Sequence, residues 1–412
     1  MQAFKKKINL FLTVFFGLPL AVIIKLLNPF LVIRVGRFHA SRMGHFALDF
    51  GLYLSRKSLA KKKKLDIFTI SQPICNYYFF QYVKRNVLVI RGLSFLIAAI
   101  ELLPNPSFNL ITPDLEVSQS FDRDRLLSQS KNSLKFSDEE NALGKAFLAS
   151  IGCDDLSKLV CMNIRDDAYL NQVYASGIGW GGHSYRDSNI LDYKLGVLSL
   201  LDRGYFVIRM GSVVNKKLDI SHPNFFDYPF SGLGSDFFDI WLMANCKFCI
   251  SSSNGLECVS DIFNIPMLFV NAAPIGHINS WSKGSIWTPK IIVNTKTKKP
   301  ISLQDQINNK LICLAECDKL NMTYSEYLES LGMEILDNSE ELIDNSFMEF
   351  IDKLENKWDE SDAYNKRQSV FWRTLIQWEH FPNYHNKCID NVHGSLSDSF
   401  IKEHGNWYLD HG

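Results

Sequence analysis

The chain has 412 residues, of which 46% are apolar and 21% are charged, a composition that excludes disorder and low complexity. Lysine plus arginine and aspartate plus glutamate both number 44, so no net charge attracts the chain to nucleic acid. Nine cysteines without a framework spacing indicate reduced thiols rather than a disulfide scaffold.

An uncharged apolar segment at residues 8–24 follows three lysines, Lys5–Lys7. As a helix it would extend about 25 Å, somewhat less than the ~30 Å of a bilayer core, and Pro19 and Pro29 would kink it. No small-residue cleavage site follows, so we set a signal peptide aside. A single span, an interfacial anchor and a buried soluble helix stay open, and we expect a peripheral, monotopic or single-anchored protein on the cytoplasmic face of the inner membrane.

Strands alternate with helical patterns from residue 30 onward, which is typical of the α/β class with parallel sheets. In the first half we predict strands at 31–36 and 66–71, and helices at 45–56 and 94–103. Ser137 and Glu140 have capping-box spacing, which predicts a helix start. In the second half we predict strands at 159–164, 205–210, 248–251 and 267–270, and helices at 190–201, 237–244 and 256–263.

This pattern predicts four segments. They are a hydrophobic membrane-associated segment at 1–29, an N-terminal domain at 30–150, a C-terminal domain at 151–322 and a helical appendage at 323–412, the last rich in tryptophan.

Ligands of open α/β sheets bind beyond the carboxyl ends of the strands, so the residues after each strand are candidates for a site. After the first strand, His45 is a candidate general base near neutral pH, and Asp49, one helical turn later, could orient it. Arg37, Arg42 and Gly44 belong to the same turn, which can approach a substrate closely. The alternative is a basic loop that faces lipid headgroups.

In the second half, Arg165 follows a predicted strand, where its guanidinium could bind a diphosphate while Asp166 holds it in place. The alternative is a structural ion pair. Arg209 and Gly211, at the end of the next predicted strand, are weaker candidates, because the alternation of residues 207–209 also suits a core strand with one polar residue.

The strongest local signal is the turn Ser252-Ser253-Asn254-Gly255 before a predicted helix. Its hydroxyls, its backbone amides and the helix start suit a phosphate, and Glu257 could accept the hydroxyls of a ribose. The alternative is an ordinary serine N-cap with an acidic first turn. Cys246 and Cys249 have C-x-x-C spacing but are interpreted as core residues. The glycine-rich segment 177–183 is a candidate lid.

Five segments occur together in one order: Arg42–His45, Asn163–Leu170, Asp202–Ser212, Ser235–Ile240 and Ser252–Leu256. In these segments the chain resembles the glycosyltransferase-type proteins encoded among bacterial capsule and O-antigen gene clusters. The 163–167 segment is also similar to the H-x-R-x-D strand end of fucosyltransferase-like enzymes, where the arginine contacts the donor diphosphate. Arg165 matches that arginine, whereas Asn163 replaces the histidine.

The resemblance implies two Rossmann-like domains in a GT-B-type architecture, with the acceptor in the first and the nucleotide sugar in the second. It thereby assigns Arg37, Arg42 and Gly44 to the acceptor side, and Arg209 and Gly211 to the donor side. It implies a hexosyltransferase-type enzyme that acts on a lipid-linked or oligosaccharide acceptor at the membrane surface. We expect no cofactor and a metal-independent site, in which Arg165 and helix amides stabilise the leaving diphosphate. A nucleotide-sugar epimerase or hydrolase, and a non-catalytic scaffold of polysaccharide assembly, are the alternatives.

Overall fold

The computed structural model describes residues 2–60, 64–111, 121–129, 134–168, 184–282, 284–385 and 394–404. The chain forms two compact units. Unit 1 comprises Met1–Phe121 and Gln129–Asn132, and unit 2 comprises Asp122–Ser128 and Ser133–Gly412. Each unit is built on its own parallel sheet, so the predicted α/β class is confirmed.

Unit 1 contains a three-stranded parallel sheet in the order β1-β2-β3. Both predicted strands are present, displaced by one or two residues. The strands are β1 (Ile33–Phe38), β2 (Leu65–Ile70) and β3 (Leu88–Val89), and the helices that follow them are α3 (Met43–Leu59), α4 (Tyr77–Asn86) and α5 (Ser94–Glu101).

Aromatic side chains fill the space between this sheet and its helices. The Phe38 ring of β1 stacks on Phe68 of β2 with ring centroids 4.2 Å apart, and Phe50 of α3 meets Phe38 edge-on. Such pairs stabilise a core beyond the area they bury. The packing fixes α3 against the carboxyl half of β1, where the candidate residues of this unit lie.

The N-terminal apolar segment forms one helix in three parts. These are α1 (Gln2–Leu12), a π-helical turn (Thr13–Gly17) and α2 (Leu18–Leu27). The widened turn accommodates Pro19, which lacks the N–H that a regular helix needs, and the helix ends two residues before Pro29. The stretch Lys7–Leu27 is the one described helix that is long and apolar enough to cross a membrane.

Unit 2 contains a seven-stranded parallel sheet in the order β12-β9-β8-β7-β4-β5-β6 and a separate antiparallel pair, β10 and β11. The four strands predicted in this half are all present. The strands are β4 (Leu159–Asn163), β5 (Phe206–Arg209), β6 (Phe225–Asp227), β7 (Phe248–Ser251), β8 (Met267–Ala272), β9 (Ile286–Pro289), β10 (Ile291–Asn294), β11 (Met333–Leu336) and β12 (Ser395–Leu396).

Helices cover both faces of this sheet, as parallel strands require. The Ser137–Glu140 capping box is confirmed, although the helix that it starts belongs to unit 2 and not to the first half. The helices are α6 (Leu126–Gln129), α7 (Asp138–Ser150), α8 (Lys194–Asp202), α9 (Asp236–Asn245), α10 (Glu257–Ile262), α11 (Leu303–Asn308), α12 (Ala315–Leu320), α13 (Tyr324–Ser330), α14 (Glu340–Leu354), α15 (Asp362–Leu375), α16 (Phe381–Tyr384) and α17 (Asp398–His404).

The 323–412 segment is part of unit 2 and not a body of its own. Helix α14 places Phe347 and Phe350 in the same buried cluster as Val160 of β4. The two-residue strand β12 extends the edge of the sheet beside β9. The aromatic-rich composition predicted a separate appendage, whereas Phe347 and Phe350 of α14 are part of the main core of unit 2.

Candidate functional site

The strand order of unit 2 reverses direction between β4 and β7. From β4 the chain proceeds outward through β5 and β6, and then returns to the other side through β7, β8 and β9. Ligands of open α/β sheets bind at such a switch in strand order, beyond the carboxyl ends of the strands, so the loops that leave β4 and β7 are the candidate site. Arg165 lies two residues after the end of β4, and the 252–255 turn follows β7 directly.

These two loops are joined by hydrogen bonds. The backbone N–H of Arg165 donates to the Ser252 hydroxyl at 2.8 Å. The Asn163 side-chain amide donates to the Asn254 side-chain carbonyl, and the Asn254 amide donates back to the Asn163 backbone carbonyl at 2.8 Å. The predicted convergence of Arg165 and the serine-rich turn is therefore observed.

Asn254 organises the turn itself. Its side-chain carbonyl accepts the backbone N–H groups of Gly255 and Leu256, while Ser251 Oγ accepts the N–H of Ser253. These amides, which the sequence led us to expect around a phosphate, are thus engaged within the turn. Asn163 takes part in the same arrangement, so the departure from the histidine of the fucosyltransferase-like pattern serves to lock Asn254 in place.

The Arg165 side chain is held by Asp187 and not by Asp166. Arg165 Nε donates to Asp187 Oδ1 at 2.9 Å, whereas Asp166 accepts the backbone N–H groups of Ala168 and Asn215. The expectation that Asp166 positions Arg165 was wrong, because the Asp166 carboxylate instead joins its own loop to the loop after β5. Neither Nη atom of Arg165 has a hydrogen-bond partner within the described part of the chain. The two Nη groups of the Arg165 guanidinium are therefore available to an oxyanion.

A second guanidinium, Arg186, lies at the same turn. Arg186 Nη2 donates to the backbone carbonyls of Ser253 and Asn254, the latter at 3.3 Å. No carboxylate among the described residues forms an ion pair with Arg186. Burial lowers the pKa of Arg165, and the neighbouring positive charge of Arg186 lowers it further. No pattern in the sequence marks Arg186, since it follows the glycine-rich segment and no strand.

Lys290 adds a third cation to this edge of the sheet. It follows β9, and its ammonium forms a 2.6 Å ion pair with Asp337 and also donates to the backbone carbonyl of Asp187. Lys290 thereby fixes the loop that carries Arg186 and the Asp187 partner of Arg165. Its own charge is balanced by Asp337, so its role is positional.

Glu257 is buried at the start of α10, behind the turn. Burial raises its pKa, while backbone N–H groups of the turn and the charge of Arg186 act in the opposite direction. Its Oε2 atom is buried and has no hydrogen-bond partner among the residues that the structure describes. The ribose contact suggested for Glu257 stays a prediction.

Arg209 and Gly211 lie at the end of β5, on the other side of β4. Arg209 is almost fully buried, pairs with Asp227 at 3.4 Å and donates to the Lys216 carbonyl. Its guanidinium is thus satisfied within the fold. Gly211 has a φ of +137°, a conformation that favours glycine, and contacts Val214 and Pro229 in its own loop. Their donor-binding roles stay predictions.

In unit 1, His45 lies in the first turn of α3, with Gly44 beside it, Arg42 at the N-cap position and Arg37 half-buried in β1. Burial lowers the pKa of His45 to about 4, and the charge of Arg42 and the nearby His39 ring contribute to that shift. The expectation of a base poised near neutral pH was therefore wrong. A cationic loop and a desolvated position both oppose protonation of the imidazole.

Asp49 does not orient His45. Both carboxylate oxygens of Asp49 are buried and lack a hydrogen-bond partner among the described residues. Burial raises its pKa well above the ordinary value. Burial therefore favours the protonated form of Asp49, and its unsatisfied oxygens mark it as a functional candidate.

The remaining chemical motifs have structural roles. The D-x-D spacing Asp122-Arg123-Asp124 precedes α6, where Asp122 accepts the backbone N–H groups of Leu126 and Leu127. Cys246 and Cys249 are buried, as predicted. No group of metal-ligating side chains occurs among the described residues. The candidate lid 177–183 lies outside the described residues.

No family model and no curated protein matches the sequence. Among solved structures, the ADP-heptose lipopolysaccharide heptosyltransferase II of E. coli is similar at 13% identity over 59% of this chain and 86% of that chain, with a TM-score of 0.35. The glycosyl transferase family 9 structure from Veillonella parvula DSM 2008 is similar at 13% identity over 59% and 82%, with a TM-score of 0.36. Likeness at this level carries no argument about activity.

Proposed function

We propose that the protein is a glycosyltransferase that moves a hexose-type sugar from a nucleotide-sugar donor to a saccharide acceptor in surface-polysaccharide synthesis. The observation that carries this proposal is the pair of guanidinium groups, Arg165 and Arg186, beside one turn at the reversal of the strand order. The five motif segments, which occur in the order seen in polysaccharide-cluster glycosyltransferases, support the same class.

The charge at this point favours a diphosphate. Two like-charged guanidinium groups repel each other, and Asp187 is the one carboxylate that pairs with either of them among the described residues. A dianionic ligand would relieve this repulsion, and a guanidinium fork matches the geometry of phosphate oxygens. Asp187 occupies Nε of Arg165, so the two Nη groups would face the ligand.

In the proposed reaction an acceptor hydroxyl oxygen attacks the anomeric carbon of the donor sugar. The bond between that carbon and the diphosphate oxygen breaks, and the nucleoside diphosphate leaves with the electron pair. Arg165 and Arg186 stabilise the negative charge that develops on the leaving group. The proton of the attacking hydroxyl passes to a general base, and His45 or Asp49 is the proposed candidate for that base. No step of this scheme requires a cofactor, and the site would work without a metal ion.

The acceptor is proposed to be lipid-linked or an oligosaccharide and to contact Arg37, Arg42 and Gly44 of unit 1. The donor is proposed to contact the 252–255 turn, with the buried Glu257 carboxyl behind it. Localisation at the cytoplasmic face of the inner membrane would bring the enzyme to such an acceptor.

Calorimetric titration with nucleoside diphosphates tests the donor site directly. Arg165→Ala and Arg186→Ala should each weaken binding about 10- to 100-fold, because each removes a charge-assisted contact worth about 1.5–3 kcal/mol. Arg203→Ala is the matched control, since Arg203 pairs with Asp352 at 2.7 Å at the surface of the same unit and should leave affinity unchanged.

Absence of binding by the unaltered protein to any nucleoside diphosphate or nucleotide sugar would contradict the proposal and favour a scaffold. Binding with release of free sugar in the absence of acceptor would favour a hydrolase. Transfer of radiolabelled sugar to membrane-extracted glycolipid, lost in Arg165→Ala but kept in Arg203→Ala, is the result that we expect.

A further inference from the structure

The N-terminal helix exposes an extensive apolar surface. Nearly half of the large apolar side chains that the described residues expose lie between Ile8 and Leu31. Phe30 is 90% exposed and Leu26 is 71% exposed. Contiguous apolar surface of this kind on a folded protein marks a contact with a partner or a membrane. We call this surface, formed by the outward side chains of residues 8–31, the apolar face.

The apolar face extends onto a second segment of unit 1. The Lys25 ammonium donates to the Pro104 carbonyl, and the Asn28 and Asn109 side chains exchange hydrogen bonds of 3.0 and 2.8 Å. These contacts hold the 102–109 segment beside the end of α2. Leu102 and Phe108 of that segment are 67% and 53% exposed. The apolar face is therefore a broad, preformed patch rather than one free helix.

The opposite side of the helix is fixed to unit 1. Thr13, Gly17, Ala21 and Ile24 are buried and recur every three or four residues, which places them on one stripe of the helix. A Cβ atom on Gly17 would come within 2.8 Å of Ala99 Cβ in α5, so the two helices are in close contact. Ala21 and Ile24 share a buried cluster with Val35 of β1.

This packing bears on how a bilayer could receive the helix. A helix that crossed both leaflets would carry β1 with it into hydrocarbon, because the buried stripe runs along most of α2 and the π-helical turn. Strand β1 bears Arg34, whose guanidinium pairs with Asp66 of β2. Charged groups and sheet edges are unfavourable in hydrocarbon. Immersion of the apolar face alone avoids that cost.

We infer that the apolar face of unit 1 docks into one leaflet of a phospholipid bilayer, with the helix in the plane of the membrane and both of its ends on the same side. Lys7 and Arg91 are exposed near the starts of the helix and of α5, where they suit anionic headgroups. This inference does not depend on the proposed catalytic function. It decides between the span and the interfacial anchor, which the sequence left open.

Flotation of the full chain with vesicles tests the surface. The protein should float with phosphatidylglycerol–phosphatidylethanolamine vesicles, and less with pure phosphatidylcholine. Leu26→Asp and Phe30→Asp should each weaken binding at least about tenfold, because each places a charge where an apolar side chain enters lipid. Phe30 lies beyond the end of α2, so its substitution leaves the helix packing intact. Leu143→Asp, on exposed Leu143 of unit 2, is the matched control and should bind as the unaltered protein does.

The one-leaflet arrangement is tested with a protease recognition sequence placed ahead of Gln2 in protein bound to sealed vesicles. Complete cleavage by protease added outside is expected. Protection of the sequence until detergent opens the vesicles would overturn the in-plane arrangement in favour of a span. The assignment of the apolar face to lipid would be overturned if the protein did not float with vesicles. It would also be overturned if Leu143→Asp weakened vesicle binding as much as Leu26→Asp. A lipid-free dimer that Leu26→Asp dissociates, with vesicle binding unchanged, would assign the surface to a second copy instead.

Discussion

The backbone N–H of Arg165 donates to the hydroxyl of Ser252 across 87 positions of the chain, at 2.8 Å. The bond ties the loop after β4 to the loop after β7 at the point where the strand order reverses. It places a guanidinium, a hydroxyl and a tight turn together, and the proposed donor site is built on this contact.

Ser252→Ala should therefore affect both stability and ligand binding. Ser252 is fully buried, so the change leaves the Arg165 N–H without an acceptor. We expect the free energy of unfolding to fall by about 1–3 kcal/mol and nucleotide affinity to fall with it. Urea denaturation and calorimetric titration measure the two effects. Ser253→Ala is the stability control, since the Ser253 hydroxyl forms no hydrogen bond within the described residues, and a loss as large in that variant would contradict the prediction.

Asp49→Asn should stabilise the protein and impair transfer. The raised pKa of Asp49 means that the folded state retains a proton that the unfolded state releases above about pH 4. Stability from this group is present at low pH and is lost as the pH rises toward the folded pKa. We expect the variant to gain about 1–2 kcal/mol at pH 7, less at pH 4, and to lose most transfer activity.

Asp66→Asn is the contrasting control for Asp49. Asp66 accepts both Arg34 Nε at 2.8 Å and Arg34 Nη2 at 2.7 Å, as well as the Tyr53 hydroxyl. Its neutralisation breaks a buried pair and should destabilise unit 1 by about 3 kcal/mol. Unfolding experiments at pH 7 should thus give opposite signs for the two variants, and equal signs would refute our interpretation of Asp49.

His385→Gln should remove a pH dependence of stability. Burial lowers the pKa of His385 to about 4, whereas an unfolded histidine titrates near 6.5. Its Nε2–H donates to the Gly276 carbonyl, so its Nδ1 accepts the Ser280 hydroxyl. The unfolded state binds more protons between these pKa values, so stability falls as the pH drops from 6.5 toward 4.

The measurement is the free energy of unfolding of both proteins at pH 7 and pH 5. Glutamine preserves one donor and one acceptor but does not titrate. From pH 7 to pH 5, the free energy of unfolding of the unaltered protein should fall by about 2 kcal/mol relative to that of the variant. An unchanged difference would show that His385 does not titrate as its burial requires.

Gly144→Ala should destabilise unit 2. A Cβ atom at this position of α7 would lie 2.2 Å from the ring of Trp241, which is fully buried in α9. Overpacking of this kind costs about 1–3 kcal/mol or more, which outweighs the helix propensity that alanine gains over glycine. Gly234→Ala is the control, because its added Cβ would lie 3.7 Å from the nearest atom, an ordinary contact. Thermal unfolding should separate the two variants by several degrees.

The α/β class, the principal strands and the Ser137 capping box were determined by the sequence, because each depends on local periodicity or on residues three positions apart. The pairing of Arg165 with the 252–255 turn was also predictable, since parallel strands present their carboxyl ends at one edge. Other features were settled only by tertiary contacts. The loop after the glycine-rich segment brings Arg186 to the 252–255 turn, and Asp187 rather than Asp166 pairs with Arg165. Burial lowers the pKa of His45 to about 4, below the neutral range. Desolvation and charge at long sequence separation produce these effects, and no local pattern encodes them.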